Sequence, residues 1–125
     1  MGNEFTGADL APHTVFLPVI KKIDTTVAAE HLVLGAGHHP KMRLRFAYVM
    51  TVDANNDATA VLTVKHGANV AATVTGGADA IGTVNELTID EDYKDCSKDD
   101  GIYVTTDGDA TTGDSLFLLV YELIA

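Results

Sequence analysis

The side chains in this 125-residue sequence best suited to ligation or nucleophilic attack are five histidines, one cysteine and two serines. His31, His38 and His39 lie close together, with His13 and His66 apart. Adjacent residues of a strand or loop point to opposite sides, so His38 and His39 are poorly placed to share one metal ion, and ordinary loop polarity is the expectation. Cys96 lies in Lys94-Asp95-Cys96-Ser97-Lys98, where neighbouring carboxylates disfavour a thiolate; an unreactive surface thiol is expected. Ser97 and Ser115 stand outside any G-x-S-x-G elbow, and the phosphate-cradling P-loop and G-x-G-x-x-G patterns are missing. The acidic runs Asp90-Glu91-Asp92-Tyr93-Lys94-Asp95 and Asp107-Gly108-Asp109 could attract calcium, but they lack the Gly and Glu spacing of an EF-hand loop. They read as solvated loops. No catalytic residue, metal site or cofactor is expected, and the chain does not read as an enzyme.

Recognition is the other use for reactive-looking side chains. Lys41, Arg43 and Arg45 project from one side of one strand, three bases in a protein of formal net charge −10. They suit a solvated outer face guarded against edge pairing, or a docking stripe for an acidic patch on a partner or a sister subunit. Residues 1–78 carry six acids and six bases, while residues 79–125 carry twelve acids and two lysines, so the whole net charge lies in the C-terminal part. Such a chain repels phosphate backbones, which makes nucleic acid a poor partner. Sugar binding lacks its usual platforms, because there is no tryptophan and most of the Tyr and Phe residues fall in core patterns.

The elements that must position these residues follow a period of two. Lys41 to Asp53 alternates strictly, as a half-buried strand does: Met42, Leu44, Phe46, Tyr48, Met50 and Val52 fall on one side, and Lys41, Arg43, Arg45, Ala47, Val49 and Thr51 on the other. Turn residues 53–57 and a second β-prone run to His66 predict a long hairpin over 41–66. Further strands are expected near 14–23, broken by Pro18, and at 31–34, 70–75, 83–89, 101–105 and 114–124, with a polar loop over Asp90 to Asp100. A helical turn is allowed at Thr25 to His31. The last strand, with Leu116-Phe117-Leu118-Leu119-Val120-Tyr121, lacks alternation, which predicts burial on both faces, in a sheet centre or an interface. About eight strands with regular turns predict an antiparallel β-sandwich of jelly-roll type over residues 14–125, preceded by an extended arm at residues 1–13. One cysteine rules out an internal disulfide framework. The longest apolar run is far short of the ~20 residues that span a bilayer, and the N-terminus lacks a signal-peptide pattern, so no membrane partner is expected and synthesis in the cytoplasm is. Met1-Gly2-Asn3-Glu4-Phe5-Thr6 formally fits a myristoylation pattern that short chance matches also satisfy.

The C-terminal part carries a resemblance. Val84-Asn85-Glu86-Leu87-Thr88-Ile89, Gly101-Ile102-Tyr103-Val104-Thr105, Asp107-Gly108-Asp109-Ala110-Thr111-Thr112-Gly113 and the Leu116–Tyr121 run together look like small structural proteins of tailed bacteriophages. The chain resembles the jelly-roll decoration, or cement, proteins of phage heads over roughly residues 41–125, by style of sequence and not by a diagnostic motif. That resemblance implies a homotrimer on the capsid surface of a virion, bound to the major capsid protein. The arm, with Phe5, Leu10 and Pro12, would reach neighbouring subunits, and Lys41, Arg43 and Arg45 would supply a contact face. A tail, baseplate or fibre component and a lectin-like or calcium-dependent adhesion module are the alternative readings.

Overall fold

A computed structural model describes residues 15–25, 28–53, 61–75, 80–107 and 113–124. The expected N-terminal arm, with Phe5, Leu10 and Pro12, lies outside the described residues, as does part of the Asp107-Gly108-Asp109 run. Ten strands follow one another: β1 (Phe16–Asp24), β2 (Ala29–Leu34), β3 (Met42–Thr51), β4 (Val61–His66), β5 (Asn69–Thr75), β6 (Val84–Glu86), β7 (Thr88–Ile89), β8 (Asp95–Cys96), β9 (Ile102–Thr106) and β10 (Asp114–Leu123). They form two antiparallel five-stranded sheets. Sheet I has the order β1-β10-β3-β6 with β8 also on β3, and sheet II has the order β2-β9-β4-β5-β7. The chain passes repeatedly from one sheet to the other, and this wiring is that of a jelly-roll sandwich.

The core lies between the sheets and is filled by alternate residues of the long strands. Phe117, Leu119 and Tyr121 of β10, Met42 and Leu44 of β3, Val64 of β4, and Ile102 and Val104 of β9 are fully enclosed. At the corner after β6 the chain changes sheets: Leu87 is buried and its N–H bonds the Ala47 carbonyl at 2.9 Å, while Thr88 and Ile89 pair with β5 in sheet II. The tight β4–β5 turn starts at Gly67, whose φ of 59° suits the first central position of a type II′ hairpin. A side chain there would also press on Asp100, with its Cβ 3.0 Å from Oδ1.

Four expectations are corrected. Residues 41–66 are not a hairpin: β3 pairs with β10, β6 and β8 in sheet I, and β4 pairs with β5 and β9 in sheet II. Each strand satisfies its hydrogen bonds with non-local partners, which turn residues between them could not reveal. Alternation on β3 is interrupted by a bulge. Tyr121 opposes Leu44 and Val120 opposes Phe46, leaving Arg45 as the extra residue. Beyond it the faces exchange, so Ala47, Val49 and Thr51 point into the core and Phe46, Tyr48 and Met50 point out. The segment expected to allow a helical turn enters β2 at Ala29. Cys96 is no surface thiol: it sits in β8, fully buried, within the span expected to be an open loop.

Candidate functional site

The pairing registers define the outer face of sheet I row by row, because directly opposed residues of antiparallel strands share a face. The first row is Lys22, Leu116, Met50 and Val84, and the second is Ile20, Leu118, Tyr48 and Glu86. Pro18, Val120 and Phe46 make the third. A fourth row is charged across its centre: Phe16, Glu122, Arg43 and Asp95, with the bulged Arg45 beside them. Three successive rows are therefore apolar over most of their width. Ile20 is 63% exposed, Val84 58% and Phe46 45%. Phe46 and Tyr48 stack with their rings 6.4 Å apart, and a groove of about 380 Å³ runs between Ile20, Tyr48, Met50, Val84, Leu116 and Leu118.

The outer face of sheet II is more mixed. Glu30 of β2, Thr105 of β9, Thr63 and Lys65 of β4 and Thr73 of β5 are polar, while the row of Leu32, Tyr103, Lys65 and Val70 exposes Leu32 and Val70, at 52% and 40%. Thr63 and Thr105 share a hydrogen bond across the strands, and the Lys65 ammonium donates to Glu30 at 2.5 Å. Threonine hydroxyls and an ion pair suit contact with water. Most of the exposed apolar surface of the strands is thus gathered on one side of the sandwich. The apolar side owes its position to the β3 bulge, which turns Phe46, Tyr48 and Met50 outward, and to β10, whose outward residues are Leu116, Leu118 and Val120.

The basic stripe falls at the end of this face. Arg43 donates to both carboxylate oxygens of Asp95, at 2.7 and 3.2 Å, and Arg45 lies 3.5 Å from Glu122. The hydrogen bond from Arg43 holds the Asp95 carboxyl below its ordinary range, and Asp95 in turn raises the guanidinium. Both acids belong to the acidic C-terminal part of the same chain, so the two arginines already have intrachain partners. Lys41 is exposed just before β3.

The groups singled out for chemistry have structural surroundings. Burial, with a smaller contribution from Asp100, pushes the Cys96 thiol up to about 12. His39, also buried, has Nε2 2.7 Å from the Asp100 carbonyl oxygen and 4.0 Å from the Cys96 sulfur. His66 Nδ1–H donates to the Tyr93 carbonyl at 2.8 Å, and Nε2 accepts the Tyr121 hydroxyl at 2.8 Å. This neutral tautomer fits the site, and burial lowers the His66 pKa from its ordinary value. In the acidic 90s run, the Asp90 carboxylate accepts the Asp92 N–H at 2.9 Å and Glu91 pairs with Lys94 at 2.8 Å. Among the described residues, no three His, Cys, Asp or Glu side chains gather as a metal site.

No protein-family model matches this sequence, and no curated protein matches it. Among solved structures, the chain is similar to one described as the asymmetric unit of the cyanophage Pam1 capsid. The similarity has 12% sequence identity and a TM-score of 0.49, and spans 89% of this chain and 86% of that one.

Proposed function

We propose that this chain is a non-enzymatic structural subunit that decorates and stabilises a phage head, and that the outer face of sheet I is the surface buried when it assembles. The observation that carries the reading is the asymmetry of the sandwich: one outer face is threonine-rich with Leu32 and Val70 as its exposed apolar residues, while the other is apolar across the centre of three successive rows. Monomeric soluble proteins seldom leave an apolar patch beyond a few hundred Å² uncovered, and larger ones mark interaction sites. The sequence resemblance to phage decoration proteins supplies the kind of assembly. Weak contacts repeated over a capsid lattice add up through avidity, so each subunit needs only a modest face. The homotrimer implied by the resemblance belongs to this reading, although nothing at the apolar face itself calls for three copies.

The enclosed Cys96 and the hydrogen-bonded His39 and His66 support a structural role over a catalytic one. The test is addition of the purified protein to capsids of its virus that lack it. The capsid melting temperature should rise and the protein should sediment with the heads, with a copy number comparable to the major capsid protein. Copies confined to a handful per particle would move the subunit to the tail, and absence from particles would overturn the reading.

A further inference from the structure

The apolar rows of sheet I begin at its edge strand β1, and β1 is also where the chain enters the sandwich. Residues 1–14 precede Val15 and lie outside the described residues. We propose that in the free subunit this segment folds back across the outer face of sheet I, with Phe5 seated in the groove. This deepens the assembly reading, on which it rests in one respect: a capsid partner that takes the face must displace the segment.

Tethering selects this occupant. The Val15 carbonyl accepts the Leu123 N–H at 2.9 Å, which fixes the root of the segment to β10 just past the charged fourth row. From Phe16 in that row, the groove lies two to three rows back along the strands and one to two strands inward. At ~7 Å per row and ~4.8 Å per strand the separation is roughly 18 Å. Phe5 stands eleven residues before Phe16, and a flexible chain of that length has an r.m.s. reach of about 17–20 Å. Reach and span match, the condition for the highest effective concentration, on the order of mM. A separate partner must exceed that concentration, or bind the face more tightly, to take it.

The chemistry of the segment fits the same place. Phe5 and Leu10 are its large apolar side chains beyond Met1. A phenyl ring in the groove meets Tyr48 and Met50, whose sulfur favours an aromatic edge, with Leu116, Leu118 and Val84 around them. Leu10, six residues before Phe16, then covers the third row of Pro18, Val120 and Phe46. β1 runs from the fourth row toward the first, so the preceding chain leaves past the charged row and must reverse to cross the face. Pro12 stands where that reversal falls, and proline presets a turn. Val15 and Phe16, 53% and 51% exposed, continue the apolar surface to the root of the segment.

The test uses the full chain carrying Phe5→Trp, a single reporter because the sequence has no tryptophan. The indole should emit at shorter wavelength than in urea, and iodide should quench it severalfold less than in the unfolded chain, at every dilution. Met50→Asp or Leu118→Asp, on the face, should restore full quenching while circular dichroism reports a folded chain. Thr73→Asp, on the outer face of sheet II, should not. As a second readout, Phe5→Asp alters no strand and should raise the fluorescence of the apolar dye ANS severalfold by uncovering the groove. An indole quenched as in the unfolded chain leaves the face to a capsid partner. Shielding that fades on dilution, with a native mass of two or three chains, gives the face to a neighbouring copy, and shielding indifferent to both face variants puts the segment elsewhere. Each of these outcomes overturns the proposal. Heads bound by a protein with an exposed indole defeat this inference alone, whereas a shielded indole in a protein absent from particles defeats the decoration reading alone.

Discussion

Aspartate at position 49 should unfold this protein, whereas aspartate at position 50 should leave it folded. The contrast follows from the bulge at Arg45. Val49 is 4% exposed and points between the sheets, while Met50 lines the outer groove. Val49→Asp loses about 1.5–3 kcal/mol of side-chain burial. It also forces a carboxyl group into a site with no partner, which costs about 1–3 kcal/mol more even when the group is protonated. The sum, roughly 3–6 kcal/mol, is comparable to the whole stability of many domains, about 5–15 kcal/mol. Met50→Asp keeps its carboxylate in water and should cost about 1 kcal/mol. Urea titrations of both variants, followed by circular dichroism at low protein concentration, read these costs directly. The reverse order, with Val49→Asp tolerated and Met50→Asp unfolded, would mean that alternation runs unbroken along β3. The outer face would then consist of Ala47, Val49 and Thr51, and the argument for an apolar assembly surface would fall.

Three further expectations rest on the buried polar groups. Tyr121→Phe removes the hydroxyl that donates to His66 Nε2 at 2.8 Å and should cost about 1–2 kcal/mol in the same titration; no loss would mean that water serves His66 as well. Because burial lowers the folded-state pKa of His66, its contribution to stability is complete above the ordinary value of 6.5 and declines as pH falls from there through the folded pKa. His66→Gln should flatten that part of the curve of urea midpoint against pH, while leaving the loss that Asp95 and Glu91 contribute as pH falls through their own lowered pKa values. An unchanged slope would refute the assignment. Cys96, with its thiol pushed up to about 12, should resist Ellman's reagent in the native protein and react once urea unfolds it, so prompt labelling of the folded chain would contradict the burial of its side chain.

Much of the fold was legible in the order of residues. The period-2 runs located the long strands because alternation records a pleated backbone whatever its partners are. The unbroken Leu116–Tyr121 run predicted burial on both faces; β10 does sit inside the sheet between β1 and β3, but only Phe117, Leu119 and Tyr121 are buried, and Leu116, Leu118 and Val120 are half-buried on the outer face. Pro18 does not break its strand as expected: β1 runs through it from Phe16 to Asp24, at the edge of sheet I where a missing N–H is tolerated. The concentration of acid in the C-terminal part was also plain.

The tertiary structure decided which side of each strand faces inward. Phe46, Tyr48 and Met50 outweigh Ala47, Val49 and Thr51 in hydrophobicity, so local pattern favours the larger set for the core. The opposite holds because the bulge at Arg45 shifts the phase, and a bulge is a property of pairing with β10, some 70 residues away. Pairing across sheets likewise separated β3 from β4, and β8 drew Cys96 inward beside Met42 through a register no local window contains. The basic stripe was visible as a row of charges, but its intrachain acids, Asp95 and Glu122, became neighbours only when strands distant in sequence met. The apolar outer face is the product of the same non-local choices: sequence alternation states that a strand has two sides, and only the packing of one sheet against the other settles which of them is left for a partner.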